Sequence, residues 1–223
     1  MHTDDLIRAL AADAAPIRRL PHPMARAAIW LAISAGYVAV VVVAYRLFGN
    51  AVSLQGDGQF VIEQLATIAT ALTAAVAAFC CIVPGRSRLI ALAPLLPLAV
   101  WLATMGEACV RTWHLLASDG IAVEGGWECL PASALIGLGP AVVMLVMLRR
   151  GAPLYPRSTV ALGALAAAAL GNLGLRLFHE GDVTVVMLLW QLAALAGLTG
   201  LASLMAPRVL AWRPLRLNMT STA

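Results

Sequence analysis

The chain has 223 residues, of which 61% are hydrophobic and 12% charged, with a net charge of +4 and a mean hydropathy of +0.88. Soluble domains contain roughly 45–50% apolar residues, so this composition excludes a soluble globular protein and predicts an integral membrane protein. The apolar runs are unbroken rather than alternating, which excludes a transmembrane barrel and favours helices of about 20 residues. The predicted fold class is therefore all-α, a polytopic bundle of transmembrane helices.

The first segment of the chain, TDDLIRALAADAAP, predicts a short helix that precedes the apolar runs. Thr3 is the expected N-cap, and Asp4 and Asp5 then lie in the first turn, where the helix dipole favours negative charge. Pro16 disfavours helical geometry at the residue before it and so ends the segment. The predicted helix is about three turns long.

This helix is predicted to be amphipathic. Leu6, Ile7 and Leu10 share one face, with Arg8 on the opposite side. An isolated helix of this length is marginal in water, so the apolar face needs a surface to rest on. Helices that lie on membranes carry Lys or Arg on their polar face, whereas this segment has three acidic residues, the last of them Asp13, and one arginine. A protein partner is therefore expected at the cytoplasmic face.

Six apolar runs follow and define a predicted transmembrane domain over residues 27–206, between an N-terminal segment 1–26 and a C-terminal tail 207–223. The first run is too long for the core of a signal peptide and is interpreted as a retained anchor. The six predicted spans are Ala27 to Phe48, Phe60 to Val83, Leu89 to Met105, Pro131 to Leu148, Val160 to Leu177 and Val183 to Ala206.

The orientation of these spans follows from arginine, because the sequence contains no lysine. Cytoplasmic termini place twelve of the fifteen arginines inside and leave only Arg46, Arg111 and Arg176 outside, a strong positive-inside bias. Eight of the eleven acidic residues then fall outside or near the outer interface. This asymmetry predicts that the basic side of the bundle faces anionic lipid headgroups in the cytoplasm, with no direct contact to nucleic acid.

Two other classes of membrane protein are less well supported. A small-solute transporter usually keeps ionisable residues at mid-membrane depth, and none is predicted there. A thiol-redox enzyme that passes electrons to quinone needs a close reactive pair such as C-x-x-C, which the sequence lacks. Cys80 and Cys81 are adjacent near the inner end of the second span and are expected to be small buried residues. The chain is predicted to be non-enzymatic, with no resident cofactor.

Two further cysteines, Cys109 and Cys129, fall in the longest predicted outer loop, together with His114. One interpretation is a static disulfide that ties the loop in an oxidising compartment. The other is a thiol pair that senses an oxidant or a soft transition metal, since thiolate and imidazole ligands favour such ions. The spacing matches no standard zinc pattern, and both interpretations stay open.

Four parts of the chain carry a resemblance to a known family: TDDLIRALAADAAPIRRL at the N-terminus, VPGRSRL after the second span, RRGAPLYPR after the fourth, and Trp190 in the last. In these parts the chain resembles the NrsF family of six-span anti-sigma factors of the bacterial inner membrane. The resemblance implies that the N-terminal segment binds an extracytoplasmic-function sigma factor until a periplasmic metal or oxidative signal arrives. The residues expected to bind the sigma factor are Asp4, Asp5, Leu6, Ile7, Arg8, Leu10, Asp13, Arg18 and Arg19.

The resemblance also implies two periplasmic sensor cysteines, one before the fourth span and one before the sixth. Cys129, in GGWECLP, occupies the first position, but the second position holds His179. Either Cys109 supplies the second thiol, or His179 replaces it as a metal ligand beside Cys129. Sensor residues are thus expected among Cys129, Cys109, His179 and His114, with Cys129 and His179 as the metal ligands.

Overall fold

The computed structural model describes residues 3–12, 21–48, 58–83, 85, 87–119, 129–151, 155–176, 196–197, 199–201 and 203–205. For residues 9–10, 46, 88, 108–109, 111–119 and 129–134 it describes the backbone alone. In these ranges the regular secondary structure is all helical, without strands, in agreement with the predicted all-α class.

The first two helices are α1, Thr3–Ala12, and α2, Pro23–Leu47. Asp4 and Asp5 lie in the first turn of α1, as predicted. The longer helix begins four residues before the predicted apolar run, because proline is favoured at the first helical position, where no N–H is needed. The His22 carbonyl accepts from the Arg26 N–H at 3.1 Å, and its Nδ1 accepts from the Met24 N–H at 3.4 Å. Arg26 therefore lies inside the first turns of α2.

Helix α3, Gly58–Cys80, is followed by a short 3₁₀ helix at Arg88–Leu92 and by α4, Leu95–Asp119. Gly85, between the first two, has a φ of +82°, which an L side chain rarely adopts. Ser87 caps the 3₁₀ helix by accepting the Leu89 N–H at 3.2 Å. The third predicted run is thus a 3₁₀ turn joined to a helix that extends fourteen residues beyond Met105.

The last two complete helices are α5, Cys129–Arg149, and α6, Pro156–Arg176. Pro156 again occupies a first helical position, and the Tyr155 carbonyl accepts the N–H of Thr159 at 3.0 Å and its hydroxyl at 2.9 Å. Pro140 lies inside α5, so one helical hydrogen bond is absent there.

Four segments within the described residues are long and apolar enough to cross a membrane: Pro23–Tyr45, Gly58–Cys80, Leu89–Glu107 and Pro156–Arg176. They coincide with four of the six predicted spans. Helix α5 contains a shorter apolar stretch, Leu135–Arg149. Most of the predicted sixth span lies outside the described residues, so six spans remain a prediction.

Helix α6 contacts α2, α3 and α5, and α3 also contacts α2 and α4. In the apolar stretch of α6 67% of the residues are buried, against 50% in α3 and 22% in α2, so α6 is the most buried of the four candidate spans. Helix α3 runs antiparallel to both α2 and α6: Arg26 near the start of α2 lies beside Phe79 near the end of α3, and Glu63 near the start of α3 pairs with Arg176 at the end of α6. We call these two ends of the bundle the Arg26 end and the Glu63 end.

Small residues allow α6 to approach α5 closely. A Cβ added at Gly171 would lie 3.1 Å from the Gly137 Cα, and one added at Gly163 would lie 3.0 Å from side-chain atoms of Leu148 and Met144. Glycines permit such close contact of helix backbones in membrane proteins. The core beside this contact is formed by large side chains that are fully buried, among them Trp30, Phe79, Ile136, Met144 and Leu148.

Candidate functional site

Helix α1 exposes the apolar residues that were predicted to bind a partner. The side chains of residues 3–8 are all exposed, and Leu6 and Ile7 retain 44% and 58% of their accessible surface. Adjacent exposed large hydrophobic side chains on a ten-residue helix leave apolar area in water that a partner could cover. Leu10 lies on the same helix, but its side chain is outside the described set, as are Asp13, Arg18 and Arg19 altogether.

The charge on α1 is distributed along the helix as predicted. Asp4 and Asp5 are exposed in the first turn, and Arg8 follows one turn later at the (i, i+4) distance from Asp4. No basic residue occupies the last turn. The described part of α1 is therefore acidic, and it joins α2 through residues 13–22.

Three of the predicted sensor residues lie in helices that extend to the Glu63 end. Cys109 and His114 lie in α4, whose helix continues to Asp119, so their assignment to a loop was wrong. The helix continues because residues 106–119 contain no proline, and because Val110, Trp113 and Leu116 recur at helical spacing. Cys129 is the first residue of α5.

The side chains of Cys109, His114 and Cys129 lie outside the described part of the chain, and so does His179, three residues after the end of α6. Among the side chains that are described, no group of three or more His, Cys, Asp or Glu could hold a metal. Cys80 is buried, Cys81 is half-buried, and they form no disulfide.

At the Arg26 end, a buried guanidinium joins three helices. Arg26, which is 4% exposed, donates from Nη2 to the Met147 carbonyl of α5. The guanidinium carbon lies 4.6 Å from the centre of the Phe79 ring of α3, within the range of a cation–π contact. Arg150 is close enough to repel the Arg26 charge. The Nη1 atom is buried with no hydrogen-bond partner among the described residues.

Two aromatic side chains of α2 donate to the backbone of α5 further along the bundle. Trp30 Nε1 donates to the Pro140 carbonyl at 3.0 Å, and the Tyr37 hydroxyl donates to the Leu135 carbonyl at 2.7 Å. The Tyr37 ring fills the space beside Gly139, where an added Cβ would lie 2.4 Å from a ring atom. Tyr37 therefore requires glycine at that position of α5.

At the Glu63 end, an ion pair between a buried glutamate and a half-buried arginine joins α3 to α6. Arg176 Nε and Nη2 donate to the two carboxylate oxygens of Glu63 at 3.0 and 2.6 Å. The side chains are 16% and 5% exposed. A two-point arginine–carboxylate contact fixes both distance and orientation. The end of α6, from which the chain continues to His179, is thus held against α3.

Sequence reasoning did not assign roles to Arg26, Glu63 or Arg176. Each is a charged residue at the edge of an apolar run, a position that is also typical of residues in contact with lipid headgroups. The sequence did place the opposite charges of Glu63 and Arg176 on the same predicted outer side of the membrane. This was not enough to predict their pairing, because the sequence does not say which spans are neighbours.

Comparison with known proteins gives one match. The model of the NrsF family, described as negative regulator of sigma F, matches residues 10–212. The match begins inside α1 and covers every longer helix. No curated protein and no solved structure matches the chain.

Proposed function

We propose, because this chain belongs to the NrsF family of negative regulators of sigma F, that it is a membrane-bound anti-sigma factor for an extracytoplasmic-function sigma factor. Family membership indicates a regulator rather than an enzyme, with a sigma factor as its partner. In the proposed arrangement the bundle anchors the protein in the inner membrane with both termini in the cytoplasm. Helix α1 then keeps the sigma factor away from RNA polymerase.

The observation that carries this proposal is the exposure of Leu6 and Ile7 on an acidic helix. An amphipathic helix binds by placing its apolar face in a hydrophobic groove, while its charges guide the encounter. The acidic residues suit a basic surface beside such a groove. Asp13, Arg18 and Arg19 would extend the contact toward the membrane.

The release signal is proposed to act at the Glu63 end. Helices α4 and α5 carry Cys109 and Cys129 there, and α6 ends three residues before His179. A soft metal bound by Cys129 and His179, or oxidation of Cys109 and Cys129, would change the relation between these helices. Such a signal can act only through a difference in its affinity for two states of the bundle.

The test uses the full-length chain and the sigma factor encoded beside it. Leu6→Asp places a charge on the apolar face and should weaken binding by roughly 2–4 kcal/mol, about 30- to 1,000-fold. The sigma-dependent promoter should then be active without an inducer. Binding is measured with purified protein in nanodiscs, and promoter activity is measured with a reporter gene.

The matched control is Ala12→Asp, which adds the same charge on the opposite face of α1. It should leave binding within about threefold of the parent, since surface substitutions usually change free energies by no more than roughly 0.5 kcal/mol. Equal affinity of the parent and the Leu6→Asp protein, at equal membrane levels, would contradict the proposed role of α1.

A further inference from the structure

Three donors on one face of α2 hold the backbone of α5. Arg26, Trp30 and Tyr37 are separated by four and seven residues, a spacing that aligns them along a single helical stripe. Their acceptors are the carbonyls of Met147, Pro140 and Leu135, in antiparallel order. We call these three side chains the α2 clasp.

The clasp engages α5 where that helix is least regular. Pro140 has no N–H, so the Ile136 carbonyl lacks its usual helical donor. Gly139 provides the space for the Tyr37 ring, and Gly137 provides the close approach to α6. Because the acceptors are main-chain atoms, a movement of α5 along its axis must either move α2 or break these hydrogen bonds.

The two helices connect the two candidate functional regions. Helix α5 begins at Cys129, at the Glu63 end, and its other end reaches the Arg26 contact at Met147. Helix α2 begins three residues before Arg26, and the segment that precedes it leads directly to α1. The buried Nη1 of Arg26 has no partner among the described residues, and this costs free energy in the clasped arrangement.

We propose that Arg26, Trp30 and Tyr37 are positioning residues that transmit a movement of α5 to the base of α2 and so to α1. The inference rests on the proposed function for its biological meaning. The mechanical coupling can be measured without a sigma factor. In this proposal α5 and α2 move together between two arrangements. Binding at α1 and a signal at the Cys129 end of α5 would each favour one of these arrangements.

The experiment is a double-mutant cycle on the full-length protein in nanodiscs. Pro140→Ala perturbs α5 while leaving its carbonyl in place. Trp30→Phe with Tyr37→Phe removes two clasp donors while keeping an aromatic ring at each position. The first readout is the rate of trypsin cleavage after Arg19, in the segment between α1 and α2. The second is the Kd for the sigma factor encoded beside the gene.

Pro140→Ala should change both quantities by about fivefold or more in the parent, the lower range of allosteric coupling, and by less than about twofold in the clasp variant. Trp101→Phe is the matched control, because Trp101 is buried in α4 and its Nε1 has no partner among the described residues. In that background the effect of Pro140→Ala should persist in full.

Equal effects of Pro140→Ala on cleavage in the parent and in the clasp variant would overturn the inference, as would no effect in the parent. Coupling in the cleavage assay without any sigma-factor binding would uphold the clasp and refute the proposed function. Arg26→Lys, which keeps the charge but not the planar donor group, gives an independent check and should also reduce the coupling.

Discussion

Glu63 is a carboxylate that is 4% exposed, and such a group is stable only when its charge is matched. Arg176 matches it with two hydrogen bonds from another helix. The net contribution of a buried pair can be small, because both ions lose hydration, but the removal of one partner leaves an uncompensated charge. The two residues are therefore far more sensitive to single than to paired replacement.

Glu63→Gln should lower the free energy of unfolding by up to about 3 kcal/mol, because the half-buried Arg176 loses its counter-charge. Thermal unfolding of the purified protein in detergent measures the change. Asp5→Asn, at an exposed position on α1, is the control and should change stability by less than about 0.5 kcal/mol. Equal melting temperatures for parent and Glu63→Gln would show that the ion pair has no structural role.

The sensor residues allow a second prediction at this scale. If Cys129 and His179 bind a soft metal, Cys129→Ser and His179→Ala should abolish the response of a sigma-dependent reporter to cadmium or copper, while Cys109→Ser still responds. If Cys109 and Cys129 form a thiol switch, the two serine variants alone should fail, with peroxide as inducer. A full response in all three variants would rule out both sensor hypotheses.

Helices α5 and α6 touch through glycines, and this contact determines the arrangement of the core. Gly171 faces the Gly137 backbone, which cannot move aside as a flexible side chain can. Gly36 in α2 contrasts with it, since a Cβ there would meet nothing within 4 Å. The same substitution at these two glycines should therefore have opposite effects.

Gly171→Ala should destabilise the protein by about 1–3 kcal/mol, because the added methyl group forces the two helices apart. Gly36→Ala should be neutral or stabilising, by up to roughly 1 kcal/mol, because alanine loses less backbone entropy in a helix. Both are measured by thermal unfolding in the same detergent. A greater loss of stability for Gly36→Ala than for Gly171→Ala would contradict the packing described for α5 and α6.

The elements themselves were largely predictable from the sequence, and their contacts were not. Apolar length located four spans to within a few residues. The predicted third span ended near Met105, because the apolar run ends there and polar residues follow. The helix itself continues to Asp119. The Arg26, Trp30 and Tyr37 contacts depend on which helices are neighbours, information that no single segment carries.

At the scale of the whole molecule, the proposed partner site and the proposed sensor belong to opposite ends of the helix bundle. Helix α1 leads into the Arg26 end, while Cys129 begins α5 at the Glu63 end. Signal and response must therefore be connected through the length of the bundle. The proposed orientation places the Arg26 end in the cytoplasm.

A reporter fused after Ala223 should behave as cytoplasmic, and one inserted near Asp119 should behave as periplasmic. These outcomes follow from six spans and from the arginine distribution. Paired alkaline phosphatase and fluorescent-protein fusions measure both positions, with equal expression as the control. A periplasmic C-terminus would refute six spans and the localisation proposed for the tail.

The ion pair between Glu63 and Arg176 also has a consequence for biosynthesis. The two residues are 113 positions apart, so at roughly 5–20 residues per second the ribosome delivers the arginine about 6–23 s after the glutamate. During that interval α3 enters the insertion machinery with an unmatched carboxylate. Completion of the α3–α6 core must therefore wait for the last part of translation, and a nascent chain that stops before Arg176 leaves Glu63 without its counter-charge.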